Sequence, residues 1–308
     1  MRVAVIDCGT NTIRLLITDG NPDGTLTEVT RELKFVRLGQ GVDATGRFDP
    51  AALERTFLAV EDYARIIADS QVDKVRFVAT SAARDVSNRE EFFEGVRSRL
   101  GVTPDVISGQ EEAELSFLGA LAGGPLECGP QDGVIVVDIG GGSTEVIRGT
   151  ASGTVMAEKS LDMGSVRIRE RFLHHDPPTA EEVSAARQFV TAMLDGCEVP
   201  LDHVSAFVGV AGTTTSLSAM YQGLVAYDRA RVHNSVLPVD DIEALSDRLF
   251  QLSVAQAVEA YPSLPLERAE VICAGALICA ELARRIGRPM IVRETDILDG
   301  AALKLVRG

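Results

Sequence analysis

Histidine is scarce in this 308-residue chain. Of the four, His174 and His175 precede Asp176-Pro177-Pro178 in a loop-like stretch, and His203 and His233 are isolated. The five cysteines, Cys8, Cys128, Cys197, Cys273 and Cys279, are odd in number and too scattered for metal-type spacing. Zinc is therefore not expected, and the thiols read as free and buried. Long apolar runs are missing as well. The most apolar late stretch, "VICAGALICAELA", is too short to span a bilayer and is broken by Glu281. Met1 leads directly into the strand-like "RVAVIDC" rather than into a signal peptide. No low-complexity or proline-rich tract appears, so disorder is not expected to dominate. These absences describe a soluble, cytoplasmic protein with no membrane partner. Basic charge is also short: 30 Lys and Arg against 45 Asp and Glu give a formal charge of −15, which argues against a nucleic-acid surface. Only Lys34, Lys74, Lys159 and Lys304 are lysines. Arginine, the rest of the basic set, binds phosphate in bidentate fashion, although a GC-rich genome produces the same bias.

What is present is alternation. The length suffices for two domains with a core each, expected at residues 1–124 and 125–308. Residues 2–8 read as a buried strand, followed by the turn Gly9-Thr10-Asn11 and strands at 13–18 and 25–31. "DPAALERTFLAVEDYARIIADS" has helical spacing, with Leu53, Phe57, Val60, Ala64 and Ile67 on one face, Asp49 as N-cap and Pro50 at the first helical position. "KVRFVATSAARD" and "DVISG" supply further strands. The second half repeats the scheme: strand 134–137, a glycine turn, strand 144–148, then "AFVGVAGTTTSLSAM" as strand, Gly/Thr turn and helix. Strands alternating with helices imply an α/β fold with a largely internal sheet.

The stretch "VVDIGGGSTEV" needs a reason for three consecutive glycines, which cost backbone entropy and pack nothing. One reason is a phosphate: the N–H groups of Gly140, Gly141 and Gly142 can turn toward an anion, with Asp138 and Glu145 holding a divalent cation beside it. The plain alternative is a hairpin turn with two solvated acids. "VIDCGTNTIRLLI" in the first half has the same order of strand, Asp, small-residue turn, polar residue and strand. Such repetition suggests duplicated domains whose turns face each other across a cleft as a phosphate clamp.

Asp7 to Arg14 together with "DIGGGSTE" resembles the exopolyphosphatase/guanosine pentaphosphate phosphatase (PPX/GppA) family of the actin-like superfamily. "ATSAARD" (79–85), "SGQEEAELSFLGA" (108–120), "LDMGSVRIRERF" (161–172), "GVAGTTTSL" (209–217) and "ERAEVICAGALI" (267–278) extend the likeness along the chain. The resemblance implies two actin-like (ribonuclease H-like) domains and a cleft between them. It also implies Mg²⁺-dependent removal of terminal phosphate from inorganic polyphosphate or from guanosine pentaphosphate (pppGpp). Mn²⁺ in place of Mg²⁺, a monovalent cation such as K⁺, and a homodimer go with it. Two departures stand out. Many members have Arg after "EEA" where this chain has Glu114, which adds negative charge. Longer members continue into a helical C-terminal region, so this chain resembles the short, two-domain form.

Hydrolysis of a phosphoanhydride needs charge neutralisation, an oriented water and a carboxylate to position or deprotonate it. In "SGQEE", Ser108 and Glu111 fit a capping box, which leaves Glu112. Positions 112, 116, 119 and 123 form a small, polar stripe that would open to a cleft, while Ala113, Phe117 and Leu121 face the core. The family's catalytic glutamate also falls on Glu112; otherwise it is an ordinary exposed helix acid. Asp138 and Glu145 are the expected ligands of the metal or of the water that bridges to it, with Asp7 facing them from the other domain, or else Asp7 merely caps its turn. Gly140, Gly141, Gly142 and Ser143 would cradle the terminal phosphate, and Thr10, Asn11 and Thr12 would do so from the first domain. Arg14, Arg84 and Arg167 are candidate phosphate contacts, and Gly212 and Thr213 would bind a more distant phosphate. A sugar or acetate kinase of the same superfamily, or a non-catalytic filament or nucleotide-sensing module, are the rival readings. Acidic stretches at 240–247 and 293–300, with no C-terminal extension to supply a basic track, predict a preference for short polyphosphate chains.

Overall fold

The computed structural model describes residues 1–84 and 86–307; Asp85, which closes the "ATSAARD" stretch, and Gly308 lie outside the described residues. The chain divides into two compact units, one of residues 1–122 plus the segment from Asp296 onward, the other of residues 123–295. In the first unit the elements run β1 (Arg2–Cys8), β2 (Thr12–Gly20), β3 (Leu26–Phe35), α1 (Val42–Thr45), α2 (Pro50–Asp69), β4 (Lys74–Ala79), α3 (Arg89–Leu100), β5 (Asp105–Val106) and α4 (Gly109–Ala122). The sheet order is β3-β2-β1-β4-β5, an antiparallel meander extended by two parallel strands.

The uninterrupted apolar run of β1 follows from its central place. Ala4, Ile6 and Cys8 enter a core shared with α2, while Val3 and Val5 enter a second core on the opposite face. Both faces are covered, so no alternation with polar residues is needed. Each such buried Val or Ile contributes about 1.5–3 kcal/mol. The start of α2 is set by Asp49, whose Oδ1 accepts the N–H groups of Ala51 (2.8 Å) and Ala52 (3.2 Å), with Pro50 at the first helical position.

The second unit comprises β6 (Gly133–Ile139), β7 (Thr144–Thr150), β8 (Val155–Leu161), α5 (Ser165–Phe172), α6 (Ala180–Asp195), β9 (Ala206–Val210), α7 (Ala211–Tyr221), α8 (Arg229–Val232), β10 (Val236–Leu237), α9 (Val239–Leu249), α10 (Val254–Ala260), α11 (Leu266–Ile286) and β11 (Met290–Val292). Its sheet order is β8-β7-β6-β9-β11-β10, the order of the first sheet with one more strand at the edge. The two units thus share the actin-like α/β topology. Among the described residues, no helix is long and apolar enough to cross a membrane.

The last helix, α12 (Ile297–Arg307), belongs to the first unit rather than to a second domain running through residue 308. Ile297, Leu298, Ala301 and Ala302 complete the core beneath Val3 and Val5. A Cβ on Gly119 would lie 1.7 Å from the Asp296 carbonyl oxygen, and one on Gly300 would lie 1.9 Å from that of Leu115. Glycine at both positions lets α4 and α12 meet backbone to backbone. This corrects the reading of the small-residue stripe on α4: around Gly119 it is a helix-packing surface, not an opening.

Candidate active site

Two hairpins carry most of the expected site residues, and their backbones match. In the first, Cys8 pairs with Ile13 and Asp7 with Arg14; in the second, Ile139 pairs with Thr144 and Asp138 with Glu145. Both turns close through the same bond, Gly9 N–H to Thr12 C=O (2.9 Å) and Gly140 N–H to Ser143 C=O (3.1 Å). Each turn is also backed by a later segment. The N–H groups of Val36 and Arg37 bond the Asn11 carbonyl, and that of Gly39 bonds the Thr10 carbonyl. In the second unit Ser165 N–H bonds the Gly140 carbonyl, while Val166 and Arg167 bond that of Gly141. With the carbonyls engaged, the amide edge is the free hydrogen-bonding edge of each turn. Among the described residues, Thr10, Asn11, Gly141 and Gly142 donate their main-chain N–H to no other group of the protein.

The backing segments approach closely enough to require glycine. A Cβ on Gly164 would lie 2.3 Å from the Gly141 carbonyl oxygen, and one on Gly39 would lie 2.3 Å from Thr10 Cγ2. Gly39 carries no motif signal, and Gly164, although inside the quoted stretch 161–172, was given no role of its own.

The side chains at the strand ends differ. Asp7 is 5% exposed. Its Oδ2 accepts Arg14 Nε (3.1 Å) and Nη2 (2.5 Å), while Oδ1 is buried with no hydrogen-bond partner. Burial raises the Asp7 carboxyl above its ordinary range, with Arg14 opposing. Arg14 also pairs with Asp296, which burial pushes up and Arg14 and Arg31 together hold below its ordinary value. Arg14 is thus engaged by two carboxylates. Asp138 and Glu145 are both buried and stand directly opposite each other across β6 and β7, where side chains share one face. Ser160 Oγ donates to Glu145 Oε1 at 2.7 Å.

Glu112 lies in the first turn of α4 and is buried. Its carboxylate pairs with the guanidinium of Arg84, which also donates through Nε to the Ile107 carbonyl at 3.2 Å. Ser108 Oγ accepts the Glu111 N–H (3.1 Å) as expected of a cap, but the Glu111 carboxylate turns to Arg76 (2.8 Å) rather than back to the cap. Arg167 donates its Nε to the Gly142 carbonyl at 2.9 Å and so braces the glycine turn. Gly212 and Thr213 lie in the first turn of α7, which follows β9 without an intervening turn. Thr213 donates to the Ile139 carbonyl (3.2 Å), and a Cβ on Gly212 would meet the Arg268 guanidinium at 2.2 Å. Ala211 opens the helix at φ +68°, a left-handed conformation that costs an L-residue about 1–2 kcal/mol.

Taken unit by unit, the donors suit a hard divalent cation. Asp7 offers an uncapped buried oxygen, and Asp138 and Glu145 offer an opposed carboxylate pair. Among the described residues, no three His, Cys, Asp or Glu side chains gather closely enough to hold a metal alone. One or two carboxylates completed by water and phosphate oxygens is how Mg²⁺ is ordinarily held.

Two actin-like sheets, each ending in an Asp and a turn with an open amide edge, define a phosphate-handling class of protein. Comparison with known proteins specifies it. The model of the Ppx/GppA phosphatase family matches residues 17–295. The chain is 47% identical to Exopolyphosphatase 2 of Mycobacterium tuberculosis, covering 99% of this chain and 98% of that protein. Among solved structures, an exopolyphosphatase-like protein superposes with a TM-score of 0.94 at 37% identity, covering 99% of this chain and 98% of the other. The Ppx/GppA family member of Aquifex aeolicus gives 0.83 at 32% identity, covering 100% and 98%. This chain belongs to the Ppx/GppA phosphatase family.

Proposed function

We infer that this protein is an exopolyphosphatase, a phosphoanhydride hydrolase that releases orthophosphate from the end of inorganic polyphosphate. The relative named Exopolyphosphatase 2, alike over the whole length, supports the substrate. The observation that carries the reading is the duplicated turn, whose main-chain N–H groups at Thr10, Asn11, Gly141 and Gly142 are left for an acceptor outside the protein. Water attacks the terminal phosphorus, the bridging P–O bond breaks, and the products are orthophosphate and a chain shorter by one residue. Glu112 is the proposed base, with Arg84 holding its carboxylate in place. Asp7 in the first unit and Asp138 and Glu145 in the second are the proposed ligands of Mg²⁺ or Mn²⁺, which would offset phosphate charge. Thr10, Asn11, Thr12, Gly140, Gly141, Gly142 and Ser143 are the proposed phosphate cradle. Gly212 and Thr213, with Arg268 beside them, are proposed to bind a more distant phosphate.

Phosphate release from polyphosphate and from pppGpp, measured side by side, tests the substrate. Faster turnover of pppGpp would reverse the choice, and transfer of phosphate from a nucleotide to an acceptor would favour a kinase. Exhaustive chelation should abolish release, and Mg²⁺ or Mn²⁺ should restore it; full turnover without metal would reject the metal ligands. A homodimer and a cytoplasmic location belong to the same reading and are checked by light scattering and cell fractionation.

The preference for short chains now rests on less than the sequence suggested. Residues 293–300 are not an acidic surface, because Asp296 and Asp299 are buried and paired with Arg14 and Arg31. The net charge of −15 and the acids of α9 remain, and such charge repels a polyanion over about 10 Å at ordinary ionic strength. Intermediate lengths should accumulate in a long-chain digest on a gel; full-length substrate and free phosphate alone would show processive action.

A further inference from the structure

The carboxylate of Asp7 is held unsymmetrically. An arginine facing a carboxylate commonly makes two parallel bonds, one to each oxygen. Here Nε and Nη2 of Arg14 both reach Oδ2, and Oδ1 is left buried without a partner. The third nitrogen explains the asymmetry: Nη1 is engaged by Oδ2 of Asp296. Asp296 is fixed in turn, since its Oδ1 accepts the Leu298 N–H (3.1 Å) and its own N–H donates to Asp299 Oδ2 (2.9 Å). Asp299 is tied through Oδ1 to Arg31 (2.6 Å), which lies opposite Leu16, two residues from Arg14 on β2. A connected row of charged side chains thus runs from Asp7 through Arg14 and Asp296 to Asp299 in the first turn of α12, entirely within the first unit.

We propose that Asp296 is a positioning residue that, through Arg14, keeps one oxygen of Asp7 uncapped for a divalent cation. Without the Asp296 carboxylate, Nη1 of Arg14 loses the bond that opposes a two-oxygen fork on Asp7, and the guanidinium can reach Oδ1. Asp296 touches neither metal nor substrate; it acts by holding the guanidinium off. This inference rests on the reading of Asp7 as a cation ligand.

The test is Asp296→Asn, whose amide can keep the Leu298 bond but presents an NH₂ group to Arg14. Binding of Mn²⁺ without substrate, followed by electron paramagnetic resonance, should weaken by about 10-fold or more, the usual cost of losing a residue that orients a ligand. The Mg²⁺ concentration for half-maximal phosphate release should rise by a similar factor, while KM for polyphosphate at saturating Mg²⁺ holds. Asp296→Glu, which keeps the charge, should recover part of the loss. Asp19→Asn breaks an ion pair with Arg2 in the same sheet but outside this row, and should leave Mn²⁺ binding unchanged. Equal weakening in Asp296→Asn and Asp19→Asn, or none in either, would overturn the proposal. If Asp296→Asn fails to fold, Arg14→Lys serves instead, because one ammonium cannot reproduce the shared geometry. Weakened Mn²⁺ binding in that variant upholds the proposal, and wild-type binding overturns it. Wild-type protein that neither binds Mn²⁺ nor releases phosphate defeats the functional reading itself. Normal wild-type behaviour with an unaffected Asp296→Asn defeats only this inference.

Discussion

The hairpins β1–β2 and β6–β7 have the same turn bond, the same Asp at the strand end and the same kind of backing segment, yet opposite partners for that Asp. Register places Arg14 against Asp7 and Glu145 against Asp138. One hairpin holds a carboxylate already compensated by a cation from its own sheet; the other concentrates two acids. Backbone duplication therefore does not duplicate chemistry. A single register position decides whether the residue across from the strand-end Asp is a base or a second acid.

Six substitutions would break or sharpen that contrast. The largest effect is expected outside both turns, at the carboxylate that neither hairpin supplies. Glu112→Gln should lower kcat by at least about 10²-fold with folding intact, as for loss of a positioned general base. Its neighbour Glu111→Gln weakens partly exposed pairs with Arg76 and Lys304, so its effect on stability should stay within about 1 kcal/mol. The reverse pattern in steady-state kinetics would exchange their roles. Next, Glu145→Gln keeps an acceptor for Ser160 but removes one charge from the acidic hairpin. The Mg²⁺ requirement for half-maximal release should then rise at least about tenfold. An unchanged metal titration would show that the second hairpin does not need its doubled charge.

Smaller still is a backbone effect. Gly164→Ala should lower stability by about 1–3 kcal/mol, as overpacking does, because its Cβ meets the immovable backbone of Gly141. Gly39→Ala should cost less, since its Cβ meets the side chain of Thr10, which can turn aside. Equal Tm losses would mean that the two turns are backed with equal rigidity. The smallest effect is a control remote from both hairpins. Glu182 caps α6 and is held at about 2 rather than 4.5; burial opposes this, and His175 with the N–H groups of Thr179, His174 and His175 outweigh it. A depressed carboxylate stabilises fully above its unfolded value and loses that contribution as pH falls toward the folded one. The Tm gap between wild type and Glu182→Gln should therefore be present at pH 7 and close between pH 4.5 and 2. A gap that persists at low pH would reject the assignment.

Local chemistry was legible in the sequence. Asp49 and Pro50 mark the start of α2, and the apolar run of residues 2–8 is β1 to the residue, because caps and buried central strands leave short-range signatures. Both hairpins were visible from their turns. Their register was nearly so: counting outward from Gly9–Thr12 pairs Asp7 with Arg14, which suits Arg14 to an ion pair as well as to phosphate. Long-range encounters left no such mark. Arg84 finds Glu112 across 28 positions and Arg14 finds Asp296 across 282, with nothing periodic to announce either. The stripe on α4 was read correctly as small and wrongly as open, because small residues serve a cavity and a close helix contact equally well.

The return of α12 to the first unit bears on the order in which the protein is made. Domains fold as units, ordinarily from the N-terminus as the chain emerges. Here the second unit is a continuous stretch, residues 123–295, that is complete before the first unit has all its parts. The core beneath Val3 and Val5 waits for Ile297, Leu298, Ala301 and Ala302, so β1, made well before the second unit, is among the last strands to be covered. We expect a ribosome-bound chain ending near residue 295 to resist protease in its second unit and to be cut in its first; equal protection of both would show that the first sheet holds without its closing helix.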